Sequence, residues 1–252
     1  MEERMKNINK YIAIVSIGLF SVSCMAQEDE APEAFVYGTY YYCDVATQGD
    51  MDDIVAANEA PVFDKWVEDG KLIAWGYFKH YTGGRWRRLQ FHVSPSMEEA
   101  LSNQNAIFNE IYADNPEAGQ ARAEACYGHD DYIWATDQGS GPPENPPAVS
   151  LSTYHVCTLT GQQRADEIFA EVYGPKLNEL VEKGDIAGWG WSQHRLGGKY
   201  RRLATITGAD HASVVAANGQ AIQYANENHS ALAQEFSSIC GSHTDYIWDI
   251  GL

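Results

Sequence analysis

The sequence predicts an α+β protein in which one β-α-β-β-α-β unit occurs twice. Two observations predict it: a set of motifs recurs at a constant distance of 114 positions, and the same order of strand-like and helix-like segments surrounds both sets. The recurring motifs include Thr39-Tyr40 with Thr153-Tyr154, Cys43 with Cys157, Trp75-Gly76 with Trp189-Gly190, Arg87-Arg88-Leu89 with Arg201-Arg202-Leu203, and Cys126 with Cys240. Because this register holds without a gap, we interpret the two copies as a tandem duplication.

The elements of the first copy follow from hydrophobic periodicity and turn residues. They are a strand at 35–43, a helix at 52–69, a hairpin with strands at 72–80 and 85–93, a helix at 96–112 and a strand at 131–135. Pro61 is expected to kink or divide the first helix, and Gly70 to cap its end. Ser94 or Ser96 is expected to cap the second helix.

This order of elements is that of a ferredoxin-like unit. With the segment Gly70–Gly76 (GKLIAWG), where a helix end runs into the second strand, it makes the chain resemble the dimeric α/β-barrel superfamily. The resemblance covers nearly all of 34–252. It implies that two ferredoxin-like units of one chain pack as an intrachain pair, sheet facing sheet across a pseudo-twofold axis. No catalytic motif of a characterised member matches, so the resemblance assigns no functional residue.

The chain is expected to divide into five segments. They are a signal peptide at 1–26, a flexible acidic leader at 27–33, the first repeat at 34–136, a Gly- and Pro-rich linker at 137–147 and the second repeat at 148–252. Cleavage after Ala26 is favoured over a lipid anchor at Cys24, because the residues before Cys24 fit a lipidation signal poorly. We therefore expect export to a periplasmic or extracellular location, with no membrane span.

The charge of the chain limits its partners. Residues 1–26 hold three of the 17 basic and two of the 35 acidic residues, so the remaining chain has 14 basic and 33 acidic residues and a charge of −19. Such a surface repels nucleic acid and anionic membranes. We expect no nucleic-acid partner, and a small molecule is the more plausible ligand.

Four cysteines form two repeat-related pairs, which in an exported chain favours disulfides. In the ferredoxin-like strand order 4-1-3-2, the end of the first strand lies beside the start of the last. The predicted bridges are therefore Cys43–Cys126 and Cys157–Cys240. Metal binding is the rival interpretation, but no C-x-x-C spacing supports it, and we predict no metal site.

The two hairpins hold eight of the 14 basic residues of the chain beyond residue 26. These residues are Lys79, Arg85, Arg87, Arg88, Arg195, Lys199, Arg201 and Arg202. One interpretation is an anion site formed by Arg87, Arg88, Arg201 and Arg202. The other is that the arginines pair with carboxylates and fasten the hairpin. His80 and His194 are candidate general bases, and a structural role at the turn is equally compatible with their position.

Strand alternation divides these residues between two faces. Arg87 shares a face with Leu89, which suggests partial burial and a carboxylate partner, whereas Arg88 points the other way. One arginine pair must then face the barrel interior and the other the helices. Trp75 and Trp189 could stack on a ligand or belong to the core. His129 and His243 each precede a repeated aspartate by two residues, as a His–Asp pair or a loop anchor would.

Two functions from different classes follow from these features. The first is an exported small-molecule-binding or structural protein whose ligand is anionic or aromatic. The second is a cofactor-independent barrel enzyme for proton transfer, isomerisation or oxygenation, with His80 or His194 and the hairpin arginines as its site. No nucleotide-binding, serine-hydrolase or zinc-protease motif occurs, and no cofactor is predicted.

Overall fold

A computed structural model describes residues 34–141 and 146–252. The strands are β1 (Phe35–Cys43), β2 (Ala74–Gly83), β3 (Arg88–Ser94), β4 (Cys126–Gly139), β5 (Val149–Val156), β6 (Gly188–Leu196), β7 (Arg202–Gly208) and β8 (Ser242–Ile250). The helices are α1 (Gln48–Ile54), α2 (Ala60–Glu68), α3 (Met97–Tyr112), α4 (Pro116–Ala125), α5 (Gln162–Ile168), α6 (Gly174–Glu182), α7 (His211–Asn228) and α8 (Ser230–Cys240). The expected signal peptide, the leader and the centre of the linker lie outside the described residues.

The eight strands form one closed antiparallel barrel in the order β1-β3-β2-β8-β5-β7-β6-β4. Within the first four strands the neighbours follow the expected order 4-1-3-2, and the last four strands repeat it. The two sets join where β2 pairs with β8 and β4 pairs with β6. Closure leaves neither set with a free edge, so the two halves share one sheet.

The elements of the two halves follow each other in the same order. Helices α1 and α5 both run into a π-helical turn, at Val55–Glu59 and Phe169–Tyr173, which leads into α2 and α6. Pro61 and Pro175 lie in the first turn of α2 and α6, where a missing backbone N–H costs no helical hydrogen bond. The expected division of this helix therefore takes the form of a π-helical turn just before the proline.

The structure adds one element to those expected and extends another. Helix α4 was absent from the sequence prediction because Pro116–Ala125 has no apolar stripe, and only Ala125 is buried. Strand β4 continues to Gly139, past the expected start of the linker at 137, because Gln138 and Gly139 pair with Trp191 and Gly190 on β6. Within the described residues, no helix is long and apolar enough to cross a membrane.

Both faces of the barrel wall are packed. Its outer face meets the helices, where residues such as Met51, Phe63, Ile168 and Leu180 are fully buried. Aromatic side chains from both halves meet inside the barrel at the hairpin end, which we call the interior aromatic cluster. Its rings are Tyr40, Trp86, Tyr132, Trp134, Tyr154, Tyr200, Tyr246 and Trp248.

Two disulfides, Cys43–Cys126 and Cys157–Cys240, confirm the predicted connectivity. Each joins the end of the first strand of a half to the start or flank of its last strand. In the first half the two cysteines are opposite one another in the β1–β4 register. The pairing therefore follows from the strand order that placed these positions side by side.

The hairpin tip of each half is locked onto the last strand of the other half. Gly83 has φ +122°, and a Cβ there would lie 2.2 Å from the backbone oxygen of Asp245. The hydroxyl of Tyr246 accepts a hydrogen bond of 2.8 Å from the backbone N–H of Arg85. Gly197 and Tyr132 occupy the equivalent positions on the other side of the barrel. The recurring glycines are thus required by a close backbone approach.

Candidate functional site

The consecutive arginines of each hairpin point to opposite faces of the barrel wall. Arg88 faces helix α1, where its Nη2 donates to Asp52 Oδ2 at 2.7 Å. Arg202 makes the same contact with Asp166 on α5, also at 2.7 Å. Both arginine side chains are only 6% exposed. Two parallel hydrogen bonds to one carboxylate in a buried setting make these pairs a clasp between strand and helix.

Arg87 and Arg201 point into the barrel, each beside the histidine of its own hairpin. The distance from Arg87 Nη1 to His80 Nδ1 is 3.0 Å, and that from Arg201 Nη1 to His194 Nδ1 is 3.0 Å. Burial and the adjacent guanidinium both lower the pKa of these histidines. The expectation of a carboxylate partner for Arg87 and Arg201 is wrong. The carboxylates lie beside the buried Arg88 and Arg202. Arg87 and Arg201 are only half-buried, so their charges do not require a carboxylate partner.

The hairpin histidines meet the interior aromatic cluster. The His80 ring lies 6.2 Å from Tyr246 and 6.1 Å from Trp248, centre to centre. Inside the barrel, Trp86 stacks on Tyr246 at 5.0 Å and lies 4.3 Å from Tyr40. The faces of β2 and β6 that bear these histidines thus line the interior, but at this end aromatic rings fill the space in front of the histidines.

Trp75 and Trp189 lie on the helix-facing side of the wall. The indole N–H of Trp75 donates to Asp64 at 2.7 Å, and that of Trp189 donates to Asn178 at 2.8 Å. The residues grouped in the sequence as one ligand site are therefore separated. His80 and Arg87 share one face, and Trp75 and Arg88 share the other.

A cavity of about 210 Å³ lies between the sheet and the helices of the second half, and we call it the second-half cavity. Its residues come from β5, β7, β8, helices α6, α7 and α8 and the π-helical turn. Its lining includes His155, Tyr173, Ala204, Ala221, Asn226, Phe236, His243 and Asp245. Its walls are mostly apolar, and its polar groups include His155, Asn226, His243 and Asp245, which is typical of a ligand pocket.

The two histidines of the cavity differ in burial and in hydrogen-bond partner. His155 is buried, and its Nδ1 donates to the carbonyl oxygen of Cys240 at 3.1 Å, so its Nε2 is left as an acceptor. Burial lowers the pKa of His155 to about 4, which keeps it neutral. His243 is exposed and pairs through Nδ1 with Asp245 at 3.0 Å. The two rings are 5.6 Å apart, centre to centre.

A polar cluster fills the same place in the first half. Glu59, with no exposed surface, accepts hydrogen bonds from Arg122 Nε at 2.8 Å and Gln90 Nε2 at 2.7 Å. Tyr112 also donates to Glu59, and Arg122 donates to the hydroxyl of Tyr41. We call these five side chains the first-half cluster. A buried carboxylate with this many donors is compensated, so the cluster is a packed structural unit.

Each member of the first-half cluster has a cavity-lining counterpart 114 positions later. The replacements are Tyr41 to His155, Glu59 to Tyr173, Gln90 to Ala204, Tyr112 to Asn226 and Arg122 to Phe236. Ile107 is likewise replaced by the smaller Ala221. The motifs that the two copies share do not indicate this site. The signal was in the positions where the copies differ.

His129 and His243 each contact their predicted aspartate, His129 Nδ1 to Asp131 at 3.1 Å. The hydrogen bond to Asp131 raises the pKa of His129. Only the His243 pair borders the second-half cavity. Within residues 34–141 and 146–252, no group of three or more His, Cys, Asp or Glu side chains is arranged to hold a metal ion.

Comparison with solved structures identifies the fold. An anthrone oxidase-like protein shares 14% identity and matches 88% of this chain and 93% of its own, with a TM-score of 0.58. The chain has the dimeric α/β-barrel fold. A heme-binding protein from Thermus thermophilus matches 86% of this chain and 90% of its own, with 10% identity and a TM-score of 0.51. No protein-family profile and no curated protein sequence matches the chain.

The second-half cavity does not fit a heme. At about 210 Å³ it is smaller than the pockets that bury drug-sized ligands, roughly 300–1,000 Å³, and a porphyrin is at least drug-sized. His155 and His243 would be the available ligands, but His243 is already paired with Asp245.

Proposed function

We propose that this protein is an exported small-molecule-binding protein that holds one ligand per chain in the second-half cavity. The single observation that carries the proposal is the difference between the halves at equivalent positions. The first half is filled by the first-half cluster, and the second half replaces large polar side chains by residues that border an apolar cavity. A structural protein has no need for such a cavity, because voids in a core reduce stability.

The size and polarity of the cavity indicate the ligand class. A cavity of about 150 Å³ is enough for benzene, so about 210 Å³ suits a molecule of one or two rings. The Nε2 acceptor of His155 favours a ligand with a hydrogen-bond donor, such as a hydroxyl group. Asp245 disfavours a carboxylate at this end. We therefore propose a small, mostly aromatic, uncharged compound with one polar end.

A thermal-shift titration with phenol, indole and 4-hydroxybenzoate tests this proposal, with benzene-sized apolar compounds for comparison. Indole or phenol should raise the unfolding temperature in a saturable manner, because a ligand that binds only the native state stabilises it. Ala221→Ile, which places the first-half residue in the cavity, should abolish the shift. Ile107→Val, a matched change in the first half, should leave it intact. A shift that survives Ala221→Ile places binding elsewhere and contradicts the proposal.

The second candidate is a cofactor-independent enzyme at the same cavity. It is favoured by the His243–Asp245 pair, in which the carboxylate orients the imidazole as a general base requires. The shared fold with an anthrone oxidase-like protein is compatible with this candidate, and at 14% identity it is evidence for fold alone. Turnover of a bound phenol that His243→Gln abolishes, with the thermal shift unchanged, would favour the enzyme over the binding protein.

In this proposal the hairpins are mainly structural and do not form the ligand site. Arg88 and Arg202 serve as structural clasps, and Arg87 and Arg201 are the pair to test for anion binding. His80 and His194 face packed aromatic rings, which supports a structural role over catalysis. We also propose that the halves arose by duplication of one unit, after which one lost or the other gained a cavity. Export would account for the two disulfides, which an oxidising compartment maintains.

A further inference from the structure

The second-half cavity has polar side chains at two places along strand β5. Thr153 and His155 both line the cavity, because residues two apart in a strand point to the same face. At the rise of a strand, roughly 3.3 Å per residue, their Cα atoms are about 6.6 Å apart. A single aromatic ring with its polar end at His155 could therefore reach Thr153 with its far end.

A glutamine side chain holds the equivalent place in the first half. Gln104 on α3 donates through Nε2 to Thr39 Oγ1 at 3.4 Å. Its Oε1 lies 3.2 Å from Nε2 of His92 on β3. Gln104 thus bridges strands β1 and β3, and the polar groups of the three side chains are paired with one another.

The second half lacks this bridge. Gln104 is replaced by Asn218, which is one methylene shorter, and His92 is replaced by Ile206, which has no polar side-chain atom. Thr153, Asn218 and Ile206 all line the second-half cavity. Within the part of the chain that the structure describes, neither the hydroxyl of Thr153 nor the amide of Asn218 has a hydrogen-bond partner in the protein. Both groups are therefore available to a ligand.

The surroundings of Thr153 limit the group that it could bind. Asp245 lies opposite Thr153 in the β5–β8 register and also lines the cavity, so it would repel a carboxylate or a phosphate. Asp245 is already paired with His243. A hydroxyl or a carboxamide can donate to and accept from Thr153 and Asn218, and it brings no charge that must be desolvated.

We propose that Thr153 and Asn218 form a second polar subsite, so that the cavity prefers a single aromatic ring with two uncharged polar groups in para positions. One group binds at His155 and the other at Thr153 and Asn218. This proposal rests on the ligand site proposed above and adds a preference within that ligand class. The para arrangement follows from the separation of the two polar places along β5, because an ortho arrangement puts both groups at one end.

Isothermal titration with 4-hydroxybenzyl alcohol, 4-ethylphenol and 2-hydroxybenzyl alcohol tests this preference. 4-Ethylphenol has nearly the shape of 4-hydroxybenzyl alcohol, with a methyl group in place of the second hydroxyl. A wholly apolar cavity would bind 4-ethylphenol more tightly, because it is the more apolar compound. We expect 4-hydroxybenzyl alcohol to bind about fivefold or more tightly than 4-ethylphenol and than the ortho isomer, since only it reaches both polar places.

Two variants locate the effect. Thr153→Val and Asn218→Leu remove the hydrogen-bonding groups with little change in volume, so each should reduce or reverse the preference. The affinity for 4-ethylphenol and the unfolding temperature should change little, because the groups removed have no partner in the protein. Gln104→Leu is the matched control in the first half. It breaks the bridge to Thr39 and His92, so it should lower the unfolding temperature and leave the ligand preference unchanged.

The outcomes separate this proposal from the function on which it rests. If 4-ethylphenol binds in a manner that Ala221→Ile abolishes, yet as tightly as 4-hydroxybenzyl alcohol, the second polar subsite is wrong and the ligand cavity stands. A preference that survives both Thr153→Val and Asn218→Leu, or that Gln104→Leu reduces equally, also overturns the subsite. If none of the three compounds binds, the proposed function fails together with this inference.

Discussion

Neighbouring residues of a strand point to opposite faces, so the two arginines of each hairpin have different surroundings. Arg88 and Arg202 contact the helices, whereas Arg87 and Arg201 face the barrel interior. The pattern of the sequence required one arginine pair to face the barrel interior and the other the helices, and it left open which. The answer depends on Asp52 and Asp166, which lie 36 residues before their arginines and share no local motif with them. Such a long-range contact is set by helix packing, so strand alternation alone did not predict it.

Replacing the clasp arginines should destabilise the fold more than replacing their neighbours. Arg88→Ala and Arg202→Ala each leave a partly buried aspartate without its cationic partner, and we expect a loss of about 3 kcal/mol in the free energy of unfolding. Arg87→Ala and Arg201→Ala remove half-exposed charges and should cost less than about 1 kcal/mol. Urea denaturation measures both sets. Equal losses at the four positions would contradict the assignment.

Buried histidines should make the protein less stable in mild acid. Burial lowers the pKa of His92 and His155 to about 4, against a value near 6.5 in the unfolded chain. Below pH 6.5 the unfolded state therefore binds protons that the folded state does not, and stability falls as pH falls toward 4. From pH 6.5 to 5 each histidine should cost about 2 kcal/mol.

Urea denaturation at pH 7.5, 6 and 5 tests this dependence. The variant His155→Tyr, which uses the residue of the first half, should flatten the slope because it removes one of the two groups. Stability that stays constant or rises on acidification to pH 5 would show that these histidines are protonated in the folded protein.

At the scale of elements, the hairpin tips determine how the halves meet. A Cβ at Gly83 would lie 2.2 Å from the Asp245 carbonyl oxygen, and one at Gly84 would lie 2.2 Å from the Tyr246 hydroxyl. Gly83→Ala or Gly84→Ala should therefore displace the tip and cost about 2–4 kcal/mol of stability. Gly219→Ala is the control. It has open space around a helical glycine in α7, so it should stabilise the protein by about 0.5–1 kcal/mol.

Thermal and urea denaturation of these variants give the comparison. Tolerance of alanine at both hairpin glycines would mean that the tip does not approach the other half closely.

The strand pattern and the turn glycines were predictable because they are local. The contact partner of the turn was not, since it comes from the last strand of the other half, about 160 residues away.

At the scale of the whole molecule, the disulfides connect distant parts of the chain. Each bridge spans 83 residues and is buried. Replacing Cys43 and Cys126 by serine, or Cys157 and Cys240, should lower the free energy of unfolding by about 2–5 kcal/mol, because the unfolded chain gains freedom. Denaturation of the variants measures the loss, and peptide mapping without reduction checks the connectivity. Free thiols at these positions in exported protein would contradict it.

The sequence predicted the α+β class and both disulfides, and its resemblance to a known superfamily predicted a barrel-like pairing of two sheets. The structure shows one closed barrel of eight antiparallel strands. Duplication itself stays a prediction, as do the signal peptide and the domain boundaries. The second-half cavity was not predicted because it depends on side-chain volume under two helices. Replacement of Tyr112 by Asn226 and of Ile107 by Ala221 creates space only in the folded state.

The most direct test of this account is a crystal structure of the protein with indole or phenol, whichever raises the unfolding temperature more. We expect one molecule per chain in the second-half cavity, with its polar end toward His155 Nε2 and its ring against Phe236, and none in the first half, where Glu59 and Arg122 occupy the space. A probe bound at the hairpins or within the first half, with the second-half cavity collapsed or filled by protein, would contradict the account.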